Sequence, residues 1–131
     1  AKPSPQDRKY TKEHEWAKAD GAGTVTMGIT DHAQELLTDV VYVELPAVGR
    51  KVRQQEPIAV VESVKSVSDV YAPVSGEVIE VNQALEASPE LVNKDAFGAG
   101  WIARIRMEAP AELDGLMTAD QYEEHIKASP H

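Results

Sequence analysis

Val60-Val61-Glu62-Ser63-Val64-Lys65-Ser66-Val67-Ser68-Asp69-Val70-Tyr71 is the stretch on which the fold turns. Two valine-rich runs flank a short polar segment with Lys65 at its centre. Val61, Val64, Val67 and Val70 recur every third residue, a spacing that one face of a helix also shows. Propensity decides for strands, because valine and serine are mediocre in helices and valine is favoured in sheets. Pro57 and Pro73 bracket the stretch as they would bracket a hairpin. Lys65 then rides the hairpin tip, its amine held out in solvent on a firm base. That geometry suits an amine that is modified covalently and visits other proteins. Lys65 is nevertheless one of eight lysines, and an arbitrary surface lysine is solvated and inert.

Outward from the hairpin the chain reads as short strands separated by turns. Glu15–Lys18 is expected to be the first strand, and Asp20-Gly21-Ala22-Gly23 a turn. Thr24–Ile29 places Val25, Met27 and Ile29 on one face, the period of a half-buried strand. Asp31–Leu37 reads as a helix capped by Asp31, with Gln34 three residues on as in a capping box. Val40–Leu45 returns to strand with Val41, Val43 and Leu45 inward, and Pro46 and Gly49 mark a turn. Ser75-Gly76 leads into a strand over Glu77–Val81. Residues 82–100 are irregular, with helical turns around Ala84 and Glu90. Trp101, Ala103, Ile105 and Met107 alternate toward the core, with Arg104 and Arg106 toward water. Pro110 opens a short helical segment, and Thr118 with Gln121 forms a second capping box. The expectation is a mainly β protein, a sandwich or flattened barrel of antiparallel sheets with added short helices and a C-terminal helix. One domain spans 1–131, with a flexible segment over 1–9 and a helical extension over 110–131.

Composition narrows the function. The formal net charge of -9 argues against nucleic acid and anionic membrane, both of which favour basic surfaces. Without cysteine, disulfides, thiolate metal sites and cysteine nucleophiles are excluded, so sulfur redox chemistry needs an added cofactor. No apolar run approaches the roughly 20 residues of a membrane span. His14-Glu15 lacks the second histidine of a zinc-protease helix. The four histidines show no ligand-like clustering in sequence, and each reads as a surface or partly buried residue. Gly98-Ala99-Gly100 leads into a strand, unlike a phosphate loop. No serine sits in a nucleophile elbow. Nothing in these patterns demands an enzyme.

Several motifs in order carry a family resemblance: Tyr10-Thr11-Lys12-Glu13-His14-Glu15-Trp16, Gly28-Ile29-Thr30-Asp31-His32-Ala33-Gln34-Glu35, Val40-Val41-Tyr42-Val43-Glu44-Leu45-Pro46, Val61-Glu62-Ser63-Val64-Lys65, Ser68–Glu77, and Leu91-Val92-Asn93 followed by Gly100-Trp101. Over about Tyr10 to Tyr122 the chain resembles the H proteins of the glycine cleavage system, a family of lipoyl carriers. Glu62 lies before Lys65 and Gly76 after it at the spacings of the attachment pattern. Lipoyl domains of 2-oxo acid dehydrogenases differ, with Asp before the lysine and Ala after it, where this chain has Val64 and Ser66.

The resemblance implies a lipoyl-type flattened barrel with lipoic acid in amide linkage on Lys65. It implies four kinds of partner: the pyridoxal-phosphate glycine decarboxylase (P protein), the tetrahydrofolate-dependent aminomethyltransferase (T protein), dihydrolipoyl dehydrogenase (L protein), and a lipoate ligase or lipoyl transferase. The chain would carry the aminomethyl group from the first to the second, then electrons to the third. Its location would be the cytoplasm in a bacterium, which is favoured, or the mitochondrial matrix in a eukaryote. The resemblance also puts Glu15 and Asp69 at a groove that shelters the loaded arm, with Ile29 and the Asp31–Leu37 helix beside it. Without the resemblance, both acids read as solvated carboxylates. Glu13 stands where relatives often have a small residue, Thr38 where they have glycine, and Ala96-Phe97 where they have Pro-Tyr. Two other classes stay open: a lipoyl or biotinyl carrier of another complex, told apart by the mass of the modification and by which partner loads it, and an unmodified β-domain acting only as a scaffold or lipoyl relay, which would fail to support glycine decarboxylation once lipoylated.

Overall fold

The computed structural model describes residues 2–128. In chain order the elements are β1 (Lys9–Tyr10), β2 (Glu15–Gly21), β3 (Thr24–Ile29), α1 (Asp31–Leu37), β4 (Val40–Glu44), β5 (Lys51–Val52), β6 (Pro57–Ser63), β7 (Val67–Tyr71), β8 (Gly76–Val81), α2 (Ala84–Ala87), α3 (Leu91–Lys94), β9 (Ala103–Met107), α4 (Ala111–Asp114) and α5 (Ala119–Ala128). They form a six-stranded sheet, ordered β1-β2-β3-β9-β8-β5, and a three-stranded sheet, ordered β4-β6-β7. Every pairing is antiparallel. The core between the sheets is aliphatic, with Val25, Met27, Val61, Val70, Val74, Val78 and Ile105 buried. This is the mainly β, two-sheet architecture the sequence predicts.

The hairpin forms as expected. Val60 pairs with Asp69, Val61 with Ser68 and Glu62 with Val67. The third-residue valines divide accordingly: Val61 and Val70 are buried, while Val64 and Val67 at the tip are exposed. Gly76 opens β8 because no larger residue fits. A Cβ there would lie 2.0 Å from the Arg106 carbonyl oxygen on β9.

Local expectations are corrected in three elements. The N-cap of α1 is Thr30, whose hydroxyl accepts from the Ala33 N–H at 3.1 Å. Asp31 lies inside the first turn, where it accepts from the Lys2 N–H and the Gln34 amide. In β4 a bulge follows Val40, so Val40 and Val43 point inward and Val41 is 53% exposed. One extra residue reverses the alternation. β9 starts only at Ala103, and Ile102 is buried as well. Trp101 therefore packs not in the inter-sheet core but against a second cluster of Tyr10, Trp16, Ala119 and Tyr122. The two-residue strands β1 and β5 were too short to show a period.

That second cluster brings the segment before β2 against α5. Tyr10 stacks on Tyr122 at 4.8 Å, and the Arg8 guanidinium lies 4.6 Å over Trp16. The Ser4 hydroxyl donates to Glu123, and the Tyr10 hydroxyl to the Pro5 carbonyl. Residues 4–10, expected from sequence to be flexible up to residue 9, thus make specific contacts. The Thr118–Gln121 capping box closes in both directions, at 2.9 and 3.2 Å, and opens α5.

Candidate functional site

Lys65 lies in the turn that joins β6 and β7. Ser63 N–H donates to the Ser66 carbonyl at 2.8 Å, and the Ser63 hydroxyl oxygen accepts from the N–H groups of Lys65 and Ser66. One serine side chain thereby stiffens the turn from within. The adjoining Val64 N–H donates to the Asp39 carbonyl at 3.0 Å, tying the tip to the segment after α1. Lys65 is exposed, and its ammonium donates to the Leu36 carbonyl in the last turn of α1 at 3.2 Å. Cations favour that end of a helix.

The end of α1 is held in turn by Asn93. Its Nδ2 donates to the Thr38 carbonyl and to Gln34 Oε1, and its Oδ1 accepts from the Val40 N–H. Thr38 itself has φ 65° and ψ -148°, a conformation that suits glycine. Threonine therefore bears backbone strain at this position. Asn93 positions the helix end beside Lys65, a role that its motif in the sequence did not reveal.

Beside the tip runs a cleft of about 110 Å³ lined by Glu13, His14, Glu15, Ile29, Ala33, Leu36, Leu37, Val61, Ser68, Asp69 and Val70. Ile29, Glu15 and Asp69 thus face one cleft, and Leu36, which Lys65 already touches, is at its rim. Ile29, Val61 and Val70 are buried and give it an apolar floor, while Asp69 is exposed. An aliphatic arm bearing a polar end fits such a lining: methyl and methylene groups along the floor, carboxylates at the end.

Glu15 is not the solvated strand carboxylate that its sequence position suggests. It is 1% exposed. Its Oε1 is 2.5 Å from the Thr11 hydroxyl, and its Oε2 accepts from the Tyr71 N–H at 3.2 Å. Burial pushes its pKa up from 4.5 to about 7, against the opposing hydrogen bonds from Thr11 and Tyr71, and the charge of Glu13 pushes the same way. Glu13 and Glu15 also line a larger cleft of about 340 Å³, bounded by Thr11, Lys12, Gln54, Tyr71, Glu112 and Met117 among others. Thr11 was not singled out from sequence, and only the folded β1–β2 turn brings its hydroxyl onto Glu15.

The C-terminal helix braces this site from behind. The Tyr122 hydroxyl is 2.7 Å from His14 Nδ1 and 2.7 Å from the Thr30 hydroxyl. Burial holds the Tyr10 and Tyr122 phenols well above the usual tyrosine range, so both stay neutral. The fold also gathers histidines scattered in sequence: the His14 ring is 4.8 Å from His32 and 6.0 Å from His125. Among the described residues no group of three His, Cys, Asp or Glu is placed to hold a metal ion. Nor is any described helix long and apolar enough to cross a membrane.

The family model described as glycine cleavage H-protein matches residues 8–129. A glycine cleavage system H protein from Thermus thermophilus is 57% identical over 124 residues, 95% of this chain and 96% of the relative. One from Nitrosomonas eutropha is 54% identical over 127 residues, 97% of this chain and 98% of the relative. The crystal structure of a glycine cleavage system H protein from Mycobacterium marinum matches with a TM-score of 0.83 at 38% identity, covering 98% of this chain and all of that one.

Proposed function

The chain belongs to the glycine cleavage H-protein family, a family of lipoyl carriers, and on that premise we propose that Lys65 carries lipoic acid in amide linkage and that the cleft beside it shelters the loaded arm. The observation that carries the proposal is the path from the exposed Lys65 amine, over Leu36, along Ile29 and Val61, to the buried carboxyl of Glu15. The bound group supplies the disulfide that this cysteine-free chain lacks. The chain supplies everything else. The Ser63-stiffened tip presents the amine to a lipoate ligase or lipoyl transferase. The lysyl stem and lipoyl chain together reach on the order of 10–15 Å, far enough to enter a partner's active site or to lie back in the cleft. The apolar floor keeps water from the arm, and Glu15 and Asp69 hold its cationic end by charge-assisted hydrogen bonds.

In this function the chain is a carrier and a shared substrate, not a catalyst. It takes the aminomethyl group of glycine from the P protein to the T protein and then passes electrons to the L protein. We read the chain as a single lipoyl-carrier domain, with α5 bracing the cleft rather than adding a separate function. The bacterial relatives favour the cytoplasm over a mitochondrial matrix.

Treatment with a lipoate ligase, followed by peptide mapping, tests the attachment. One lipoyl group on Lys65 is expected, and none on Lys65→Arg. A lipoyl adduct elsewhere would overturn the assignment. Shelter is tested without partners. The aminomethyl-loaded Glu15→Gln and Asp69→Asn proteins should lose formaldehyde and ammonia markedly faster than the parent, since losing one charge-assisted hydrogen bond costs about 1.5–3 kcal/mol. Decay of both at the parent rate would reduce the two carboxyls to bystanders.

A further inference from the structure

We infer that Glu15 receives the arm's terminal ammonium by giving up its own proton, so that docking and release of the cargo are coupled to proton release and uptake at this one buried carboxyl. The inference rests on the cleft reading above and goes beyond it by assigning the protonation states.

The geometry around Glu15 is built for both states. Its Oε2 faces a fixed donor, the Tyr71 N–H, which either a carboxylate oxygen or the carbonyl oxygen of the neutral acid can accept, the carboxylate more strongly. Its Oε1 faces the Thr11 hydroxyl, and that oxygen also accepts from the Glu15 N–H at 3.0 Å. A hydroxyl is donor and acceptor at once. When Glu15 is ionised, the Thr11 O–H donates to Oε1. When Glu15 is neutral, the acid proton on Oε1 is donated to Thr11. The same heavy-atom positions serve either state, so a change of charge needs no rearrangement. A carboxylate meant only to carry a permanent charge would be expected beside a fixed cation or in water. Glu15 instead sits 1% exposed with uncharged donors on both oxygens.

The surroundings push toward the neutral acid until a cation arrives. Glu13, His14 and Asp69 share the arm's cleft with it, and Tyr10, Lys12, Tyr71 and Glu112 share the larger one. Tyr122 lies close enough to feel its charge. Burial and the charge of Glu13, set against the hydrogen bonds from Thr11 and Tyr71, place its titration at about 7. An ammonium within a few ångströms favours the carboxylate, typically lowering such a midpoint by about 1–3 pH units. In the docking step the Glu15 O–H bond breaks, its electron pair stays on oxygen, and the proton passes to water by way of the larger cleft. An arm that arrives as the uncharged amine takes that same proton onto its nitrogen, and none is released. Both routes end in one ion pair and involve no redox change.

The test is a titration of the Glu15 side-chain carboxyl by ¹³C NMR on glutamate-labelled, lipoylated protein, with Glu15→Gln used to assign the signal. The arm is loaded chemically: one thiol of the reduced lipoyl group, formaldehyde and ammonium give the aminomethyl thioether and water. The expected midpoint is near 7 with the arm empty and at least about one pH unit lower with it loaded. Thr11→Val should raise the empty midpoint further and Thr11→Ser should restore it, a response that a purely structural threonine would not give. An empty midpoint at the ordinary glutamate value overturns the inference. So does an unchanged midpoint when loading shifts the Tyr71 amide signal, which shows docking without proton coupling and leaves the cleft reading standing. If loading moves neither the Tyr71 amide nor Glu15, the cleft reading itself fails and the inference falls with it.

Discussion

Glu15→Gln should make this protein more stable while impairing its function, and the gain should grow with pH. Burial raises the folded-state pKa of Glu15 from 4.5 to about 7. The folded carboxyl therefore binds its proton more tightly than the unfolded one. Its contribution to stability is full below about pH 4.5 and is lost as pH rises through 7. At 1.36 kcal/mol per pH unit, burying this group costs about 3 kcal/mol at pH 8, where the folded carboxyl is ionised, against about 1 kcal/mol at pH 5, where it takes up a proton on folding. Glutamine has the same shape and no charge. Its amide can donate to the Thr11 hydroxyl and its carbonyl can accept from the Tyr71 N–H, the partners Glu15 now has. The variant should therefore gain about 2 kcal/mol more at pH 8 than at pH 5. In a chain of this size that is on the order of 8 °C in Tm. Thermal unfolding followed by circular dichroism at both pH values, in unlipoylated protein, measures it. A stability difference between variant and parent that does not change with pH would refute the buried-acid assignment. A variant less stable than the parent at pH 8 would refute it more directly. The predicted gain is a trade of stability for function of the kind expected at a site that keeps an unfavourable charge in reserve.

Thr38→Gly should stabilise the protein by about 1–3 kcal/mol, because it relieves a left-handed threonine at the end of α1; urea unfolding with no gain would count against that strain. Gly76→Ala should cost about 3 kcal/mol by overpacking, since the new methyl meets the Arg106 backbone; a midpoint within experimental error of the parent would show that β8 can shift freely. Lipoylation of Lys65 without cargo should move Tm by only a few degrees, because the buried core is complete without the arm; a large rise, measured by calorimetry on both forms, would contradict this.

Local signals in the sequence determined the elements. Val25, Met27 and Ile29 alternate within one strand, and β3 runs over the predicted residues. The same holds for the bounds of α1 and for the reciprocal cap made by Thr118 and Gln121. The Lys65 hairpin also follows from residues next to one another, since β-branched runs and flanking prolines act on their own backbone. The resemblance then named the residues around Lys65 without saying what state they are in.

The rest depended on partners distant in the chain. The bulge after Val40 arises from how β4 meets β6, so counting along β4 alone put Val41 on the wrong face. The choice of Thr30 over Asp31 as cap depends on where β3 delivers the chain. Tyr122 reaches His14 across 108 residues, and this made an apparent extension into a brace for the cleft. Glu15 is the sharpest case. In sequence it is an acid in a polar motif, next to Glu13 and His14. Its proton affinity is set by the layers that exclude water from it and by the Tyr71 N–H, 56 residues away. Desolvation belongs to a position in the folded chain and not to a residue type, so only the tertiary structure decided that this carboxyl is a buried acid.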